Sequence, residues 1–113
     1  MAAERIDYIY IETHNWGKAA KFWQQLGFRL VLDLGHAGRL EPEGGGPGIF
    51  LEEVPEGRPL AMQIFLRTRD QSTPEASAEV VKPWHDSHWG TRLLELQDPD
   101  GHRIILQADS PRQ

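Results

Sequence analysis

The chain has 113 residues, 39% of them hydrophobic and 26% charged, and a formal net charge of −5 from 12 basic and 17 acidic side chains. That length carries one domain with a real core, and an acidic balance without a basic cluster excludes a nucleic-acid footprint. There is no cysteine, which removes disulfides, thiolate metal sites and a cysteine nucleophile.

Met1 to Arg5 lack the apolar stretch of a signal peptide, and no apolar run reaches the ~18 residues of a membrane span. A cytoplasmic protein without a membrane partner is therefore expected. Arg5–Thr13 alternates and predicts a strand, with Tyr8, Tyr10 and Glu12 on one face and Ile9 and Ile11 on the other. Asn15 offers an N-cap to a helix over Trp16–Leu26, whose apolar stripe is Ala19, Phe22, Trp23 and Leu26; Gly27 is placed to stop it. Phe28–Leu34 predicts a second strand, Arg39–Glu41 a short third one, and Ile49–Val54 a fourth. The glycines of 44–48 make a turn and not a phosphate loop, because no Lys-Ser/Thr and no helix pattern follow.

After the turn formers of 55–59, Ala61–Thr68 predicts a fifth strand. Residues 71–79 are polar and too short for a full helix beyond Pro74. Val80–Trp84 predicts an edge strand, since Pro83 cannot donate to a central ladder. His85 to Gly90 predicts a loop. Leu93–Gln97 and Arg103–Gln107 then form a hairpin about Asp98-Pro99-Asp100-Gly101. The order is strand, helix and three strands, then strands without a clear helix. It suggests an α+β chain of tandem βαβββ modules, about 5–54 and 61–108, within a single domain; the second module's helix is shortened or missing.

Two runs carry a family resemblance. Phe22-Trp23-x-x-Leu26-Gly27-Phe28 follows the first strand, and Trp89-Gly90-Thr91-Arg92 leads into Asp98-Pro99-Asp100-Gly101-His102. With the order of elements, the chain resembles the vicinal oxygen chelate superfamily, the glyoxalase/bleomycin-resistance/dioxygenase fold. That resemblance implies modules whose sheets curve around a ligand cleft, commonly assembled as homodimers. Metal-dependent members of the family carry His or Glu on the inward face of the first, fourth, fifth and eighth strands. Carried over by position, those places are Tyr8, Phe50, Gln63 and Ile105. Phe50 and Ile105 have no donor atom, so the sequence departs from the family where its metal chemistry resides, and neither metal nor cofactor is expected.

With those four positions facing the cleft, alternation adds Tyr10, Glu12, Glu52, Phe65, Arg67, Arg92, Leu94, Leu96 and Arg103. Met62, Ile64, Leu66, Leu93, Ile104 and Leu106 fall on the other face, an apolar patch that either residues 71–79 or a second subunit must cover. Trp84 and Trp89 bracket the 85–90 loop, either as a lid that stacks on a flat ligand or as packing residues. His85 and His88, with Asp86 between, offer a weak metal site or a plain surface loop. The expected function is a metal-free module of the bleomycin-resistance kind, sequestering an aromatic or cationic organic compound through Tyr8, Tyr10, Glu12, Phe50, Glu52, Gln63, Phe65, Trp84, Trp89, Arg92, Leu94 and Ile105. A metal-dependent lyase, isomerase or dioxygenase with shifted ligands, such as Glu12, Glu52, His85 or His88, is the alternative. A third reading is a metal-independent enzyme using Tyr8, Glu12 or Arg92. Whether the chain is an enzyme stays open.

Overall fold

The computed structural model describes residues 3–72 and 79–110. The elements are β1 (Arg5–Thr13), α1 (Trp16–Gln25), β2 (Phe28–Asp33), β3 (Ala37–Pro42), β4 (Gly48–Glu53), β5 (Met62–Arg67), β6 (Glu79–Asp86), β7 (Thr91–Gln97) and β8 (Arg103–Asp109). Among the described residues the secondary structure is mostly strand, with α1 the single helix. Backbone proximity divides the chain into one unit of Tyr8–Met62 and another of Met1–Asp7 with Gln63–Gln113.

In the 8–62 unit the strands lie in the order β2-β3-β4-β1. β1 and β4 run parallel, with Tyr10 opposite Phe50 and Glu12 opposite Glu52. β3 is antiparallel to both β2 and β4. The Asn15 side chain accepts the Lys18 N–H at 3.0 Å and starts α1. Past the Leu26 cap, Gly27 takes φ 106°, a left-handed value that costs glycine little. The helix covers the face carrying Ile11, Leu40, Ile49 and Leu51.

The helix's buried stripe is a correction. Trp16, Ala19, Ala20 and Trp23 pack on that core, whereas Phe22 and Leu26 are 54% and 59% exposed. Trp16 explains the rotation. Its ring beds on Gly38, where an added Cβ would stand 2.7 Å from the indole and 2.2 Å from the Leu32 carbonyl oxygen. Anchoring the first turn there brings the i, i+3, i+4, i+7 row that begins at Trp16 inward.

In the other unit the order is β5-β8-β7-β6, with β5 and β8 parallel and the rest antiparallel. The closing hairpin is the turn the sequence announced. Asp98 accepts the N–H groups of Asp100 at 2.9 Å and His102 at 2.7 Å, and Gly101 takes φ 91°. Gln97 pairs with Arg103 across it, so odd residues of β7 face odd residues of β8.

That parity overturns the expected faces. Leu94 is opposite Leu106 and Leu96 opposite Ile104, while Leu93 is opposite Gln107 and Glu95 opposite Ile105. Leu94, Leu96 and Leu106 form one buried cluster with Leu66, Trp84 and Ile104. Arg92, Leu94 and Leu96 therefore lie across the sheet from Ile105, and Leu93 leaves the apolar face to which alternation assigned it. Leu94, Leu96 and Leu106 are buried, at 0%, 8% and 4% exposure, whereas Met62 at the start of β5 is 64% exposed. Of the 71–79 segment offered as cover for the apolar face, 73–78 lie outside the described residues. β6 is longer than expected and takes in His85 and Asp86; its pairing with β7 shifts register between Lys82 and His85, around Pro83.

Candidate ligand-binding face

Five sequence-predicted residues come together on the face of the 8–62 unit that α1 leaves uncovered. Register arranges three strands in rows. Tyr8 stands beside Gly48 in the first row. Arg39, Phe50 and Tyr10 make the second, and Ala37, Glu52 and Glu12 the third. Gly48 and Ala37 are the small members, and both are buried. A Cβ at Gly48 would meet the Leu40 carbonyl oxygen at 2.7 Å, so the close strand approach itself requires glycine there.

The aromatic rings form a shelf. Phe50 stacks on Tyr10 at 6.4 Å between centroids and 19°, and lies 6.1 Å from Tyr8 at 42°. Tyr8 is buried; Phe50 and Tyr10 are half-buried. The Arg39 guanidinium sits 5.0 Å from the Tyr8 ring centroid, a cation–π distance.

The third row is polar. The Tyr10 hydroxyl lies 2.7 Å from a Glu52 carboxylate oxygen and 2.8 Å from one of Glu12. It has one hydrogen and donates to one of them at a time. Burial, then the hydrogen bonds to Glu52 and Glu12, push the phenol far above its ordinary range. Tyr10 therefore stays a neutral donor and is no base.

The two carboxylates differ sharply. Glu12 is 4% exposed and neutralised: the Arg58 guanidinium donates to it at 2.9 Å and the Ala61 N–H at 3.0 Å, and it shares the Tyr10 hydroxyl with Glu52. Glu52 has Tyr10 and no cation within ion-pair distance among the described residues. Burying a charge half-way without a counter-charge is unfavourable, so Glu52 is the face's open demand.

The remaining predicted residues fall elsewhere. Phe65 and Ile105 pair in register in the other unit, but at 6% and 3% exposure they are core. Gln63, two residues before Phe65, shares its side of β5. Leu94 is fully buried and Trp84 packs beside it, its indole N–H reaching the Ser72 carbonyl at 3.4 Å. Arg92 pairs with Asp86 at 3.0 Å. Trp89 instead donates to Gln107 at 2.7 Å, and Gln107 faces Leu93 on the opposite side of that sheet. The two tryptophans thus do not close as one lid.

The proposed histidine cluster also separates. The His85 ring nitrogens face the Pro83 carbonyl at 2.8 Å and Glu95 at 3.5 Å, while Asp86 turns to Arg92 and His88 meets Trp89 edge-on at 4.9 Å. Donors close enough to share one ion are Asp98, Asp100 and His102 of the exposed hairpin turn, where Asp98 already holds the turn's own N–H groups. The metal the family resemblance implies does not fit its expected positions. Phe50 and Ile105 carry no donor, and the Tyr8 ring lies under Arg39.

In the other unit a recess of about 480 Å³ is lined by Glu4, Arg5, Arg67, Thr68, Arg69 and Asp109. Its guanidinia are already matched, Arg67 by Asp7 and Asp109, and Arg5 and Arg69 by Glu4. Sequence reasoning missed Arg58 and Arg39. Arg58 sits in a connector with no periodicity, and Arg39 in a strand expected to be three residues long.

No family model matches the sequence, and no curated protein does. Among solved structures, the chain is similar to a member of the glyoxalase/bleomycin resistance protein/dioxygenase superfamily from Sphaerobacter thermophilus, at 26% identity and TM-score 0.40, covering 96% of this chain and 98% of that one. It is similar to TioX from a Micromonospora species at 18% identity and TM-score 0.38, over 94% and 97% of the two chains. A glyoxalase/bleomycin resistance protein/dioxygenase from Nocardioides is similar at 18% identity and TM-score 0.39, over 100% and 88%. These likenesses span nearly the whole length of this chain.

Proposed function

We propose that the chain is a small-molecule-binding protein that seats an organic cation on the Phe50–Tyr10 shelf, with the ligand's protonated nitrogen on Glu52, and that it does so without a metal. The observation that carries the reading is Glu52: a half-buried carboxylate beside aromatic rings, with no counter-charge among the described residues. An ammonium would supply that charge, while the rings offer their negative faces to its apolar part. Tyr10, held protonated, orients the carboxylate and does not attack or abstract. The reading is sequestration rather than turnover: among the described residues the face's hydroxyl–carboxylate contact is Tyr10 with Glu52 and Glu12, and that phenol is held protonated.

The metal-dependent alternative rested on Glu12, Glu52, His85 and His88. Glu12 already accepts from Arg58 and the Ala61 N–H and shares the Tyr10 hydroxyl with Glu52, and both His85 nitrogens face other groups, which disfavours that set. A homodimer stays part of the proposal. Val80 and Val81 on the terminal strand β6 are exposed and would suit strand-edge contact, which sedimentation at several concentrations would detect.

Calorimetric titration with benzylamine and with benzyl alcohol, its uncharged counterpart, tests the reading. The amine should bind about tenfold tighter, near 1.4 kcal/mol. Glu52→Gln should abolish the difference, and a chelator should leave it intact. Equal binding of the two compounds, or binding of neither, would overturn it.

A further inference from the structure

The geometry points to a zwitterionic ligand: a flat compound carrying an anionic group that the Arg39 guanidinium receives at the end of the shelf opposite Glu52. This rests on the reading that Glu52 takes the ligand's cation, and it adds the second charge.

Arg39 and Glu52 flank Phe50. Arg39 is the direct partner of Phe50 on β3, and Glu52 is two residues further along β4. That is the diagonal of an antiparallel pair, about 7–8 Å between backbones. The heads stand further apart. The guanidinium leans toward Tyr8, in the row on the far side of Phe50 from Glu52, while Glu52 turns to the Tyr10 hydroxyl. Between the two charges lies the half-buried Phe50 ring. A single aromatic ring with a charged substituent at each end has that length.

Arg39 is suited to hold an anion. Its contacts are an ion pair with Glu41 at 3.3 Å and the Tyr8 ring, and it makes no hydrogen bond to any described residue. Glu41 is itself 41% exposed, so that pair is screened and weak. The Arg39 side chain is 30% exposed and retains its planar fork of N–H donors, which matches a carboxylate or phosphate bidentately. Packing on Tyr8 fixes the fork in advance and lowers the entropy lost on binding. Arg39 also acts against the wrong ligand. A second cation resting on Tyr8 would meet a guanidinium already there, so a dication is rejected where a zwitterion is welcomed.

The probes are 4-(aminomethyl)benzoate and benzylamine, which differ by one carboxylate para to the aminomethyl group. The wild-type chain should bind the benzoate at least fivefold tighter. Arg39→Gln should bring that ratio to about one. Arg39→Lys keeps the charge and loses the fork, and should leave an intermediate ratio; it also guards against a folding defect, with thermal melts run on each variant. A wild-type ratio of one or below, or a ratio that Arg39→Gln leaves intact, overturns the inference. Benzylamine binding that depends on Glu52, without preference for the benzoate, would sink the zwitterion alone. Failure of both probes to bind would sink the cation reading with it.

Discussion

Arg58→Met isolates what distinguishes the two carboxylates of the face. Glu12 loses its single cation and keeps two neutral donors, Tyr10 at 2.8 Å and the Ala61 N–H at 3.0 Å. Stripping one partner from a fully buried pair costs about 3–5 kcal/mol, whereas an exposed pair costs below about 1. This pair is mixed, with the Glu12 side chain 2% and the Arg58 side chain 57% exposed. Water can reach the vacated side, so about 2 kcal/mol is expected, in line with a hydrogen bond to a charged group. At this chain length that is roughly 8 °C in Tm. Urea unfolding followed by tryptophan fluorescence reads the loss. Glu12→Gln removes the charge that Arg58 compensates, so adding Arg58→Met to it should cost under about 0.5 kcal/mol, a coupling near 1.5 kcal/mol. The same Arg58→Met change should tighten benzylamine, because Glu12 joins Glu52 as an unpaired carboxylate. Additive losses, with no coupling, would refute the reading of Glu12 as a buried charge held by Arg58.

Three further outcomes are expected. Gly38→Ala forces a Cβ to 2.2 Å from the Leu32 carbonyl and against Trp16, so β3 and α1 must shift; about 1–3 kcal/mol should be lost, seen as a lower urea midpoint. Gln107, 2% exposed, accepts from Trp89 and Thr91 and donates to Asp7; Gln107→Leu should cost about 1–3 kcal/mol and red-shift Trp89 emission as its N–H turns to water. The His102 backbone N–H holds the Asp98 carboxyl below the usual range, so the turn's stability is present above the unfolded carboxylate value and is lost as pH falls through the folded one. Asp98→Asn should therefore flatten the acid limb of stability against pH, and an unchanged limb would count against that turn.

Legibility followed the range over which each feature is written. β1 was read with its observed bounds, and Tyr10, Glu12, Phe50 and Glu52 share a face as expected, but the parallel register that sets Tyr10 beside Phe50 and Glu12 beside Glu52 was not read. The α1 cap on Asn15 and stop at Gly27 are local chemistry and were readable. The helix's buried stripe was not, because two overlapping i, i+3, i+4, i+7 rows are both apolar, and the choice between them rests on Trp16 meeting Gly38 from another strand. The faces of β7 failed for a smaller reason. Alternation orders residues within a strand but leaves its phase against the next strand to the turn. Five residues, 98–102, separate Gln97 from Arg103, and that odd number pairs like parity with like. The turn was read correctly as a turn, yet its length was not carried into the register, and a one-residue slip sends every side chain to the wrong side.

The same limit explains why Glu12 and Glu52 looked equivalent. Each occupies the same phase of a strand, and the strands place them side by side. What separates them is the connector after β4. There Arg58 N–H bonds the Pro55 carbonyl at 3.0 Å, His14 holds the Arg58 carbonyl at 2.8 Å, and the Ala61 carbonyl accepts the Glu12 N–H at 3.0 Å. These contacts fold 55–61 back along the end of β1 and deliver both a guanidinium and an N–H to Glu12. Among the described residues nothing comparable reaches Glu52, which has small Ala37 as its neighbour on β3. One carboxylate is thereby built into the fold, and the other is the one to which the proposed reading assigns the ligand's charge. His14→Ala, which frees the Arg58 carbonyl, should accordingly weaken the Glu12–Arg58 coupling while leaving the benzylamine preference dependent on Glu52; loss of that dependence would place the recognition elsewhere.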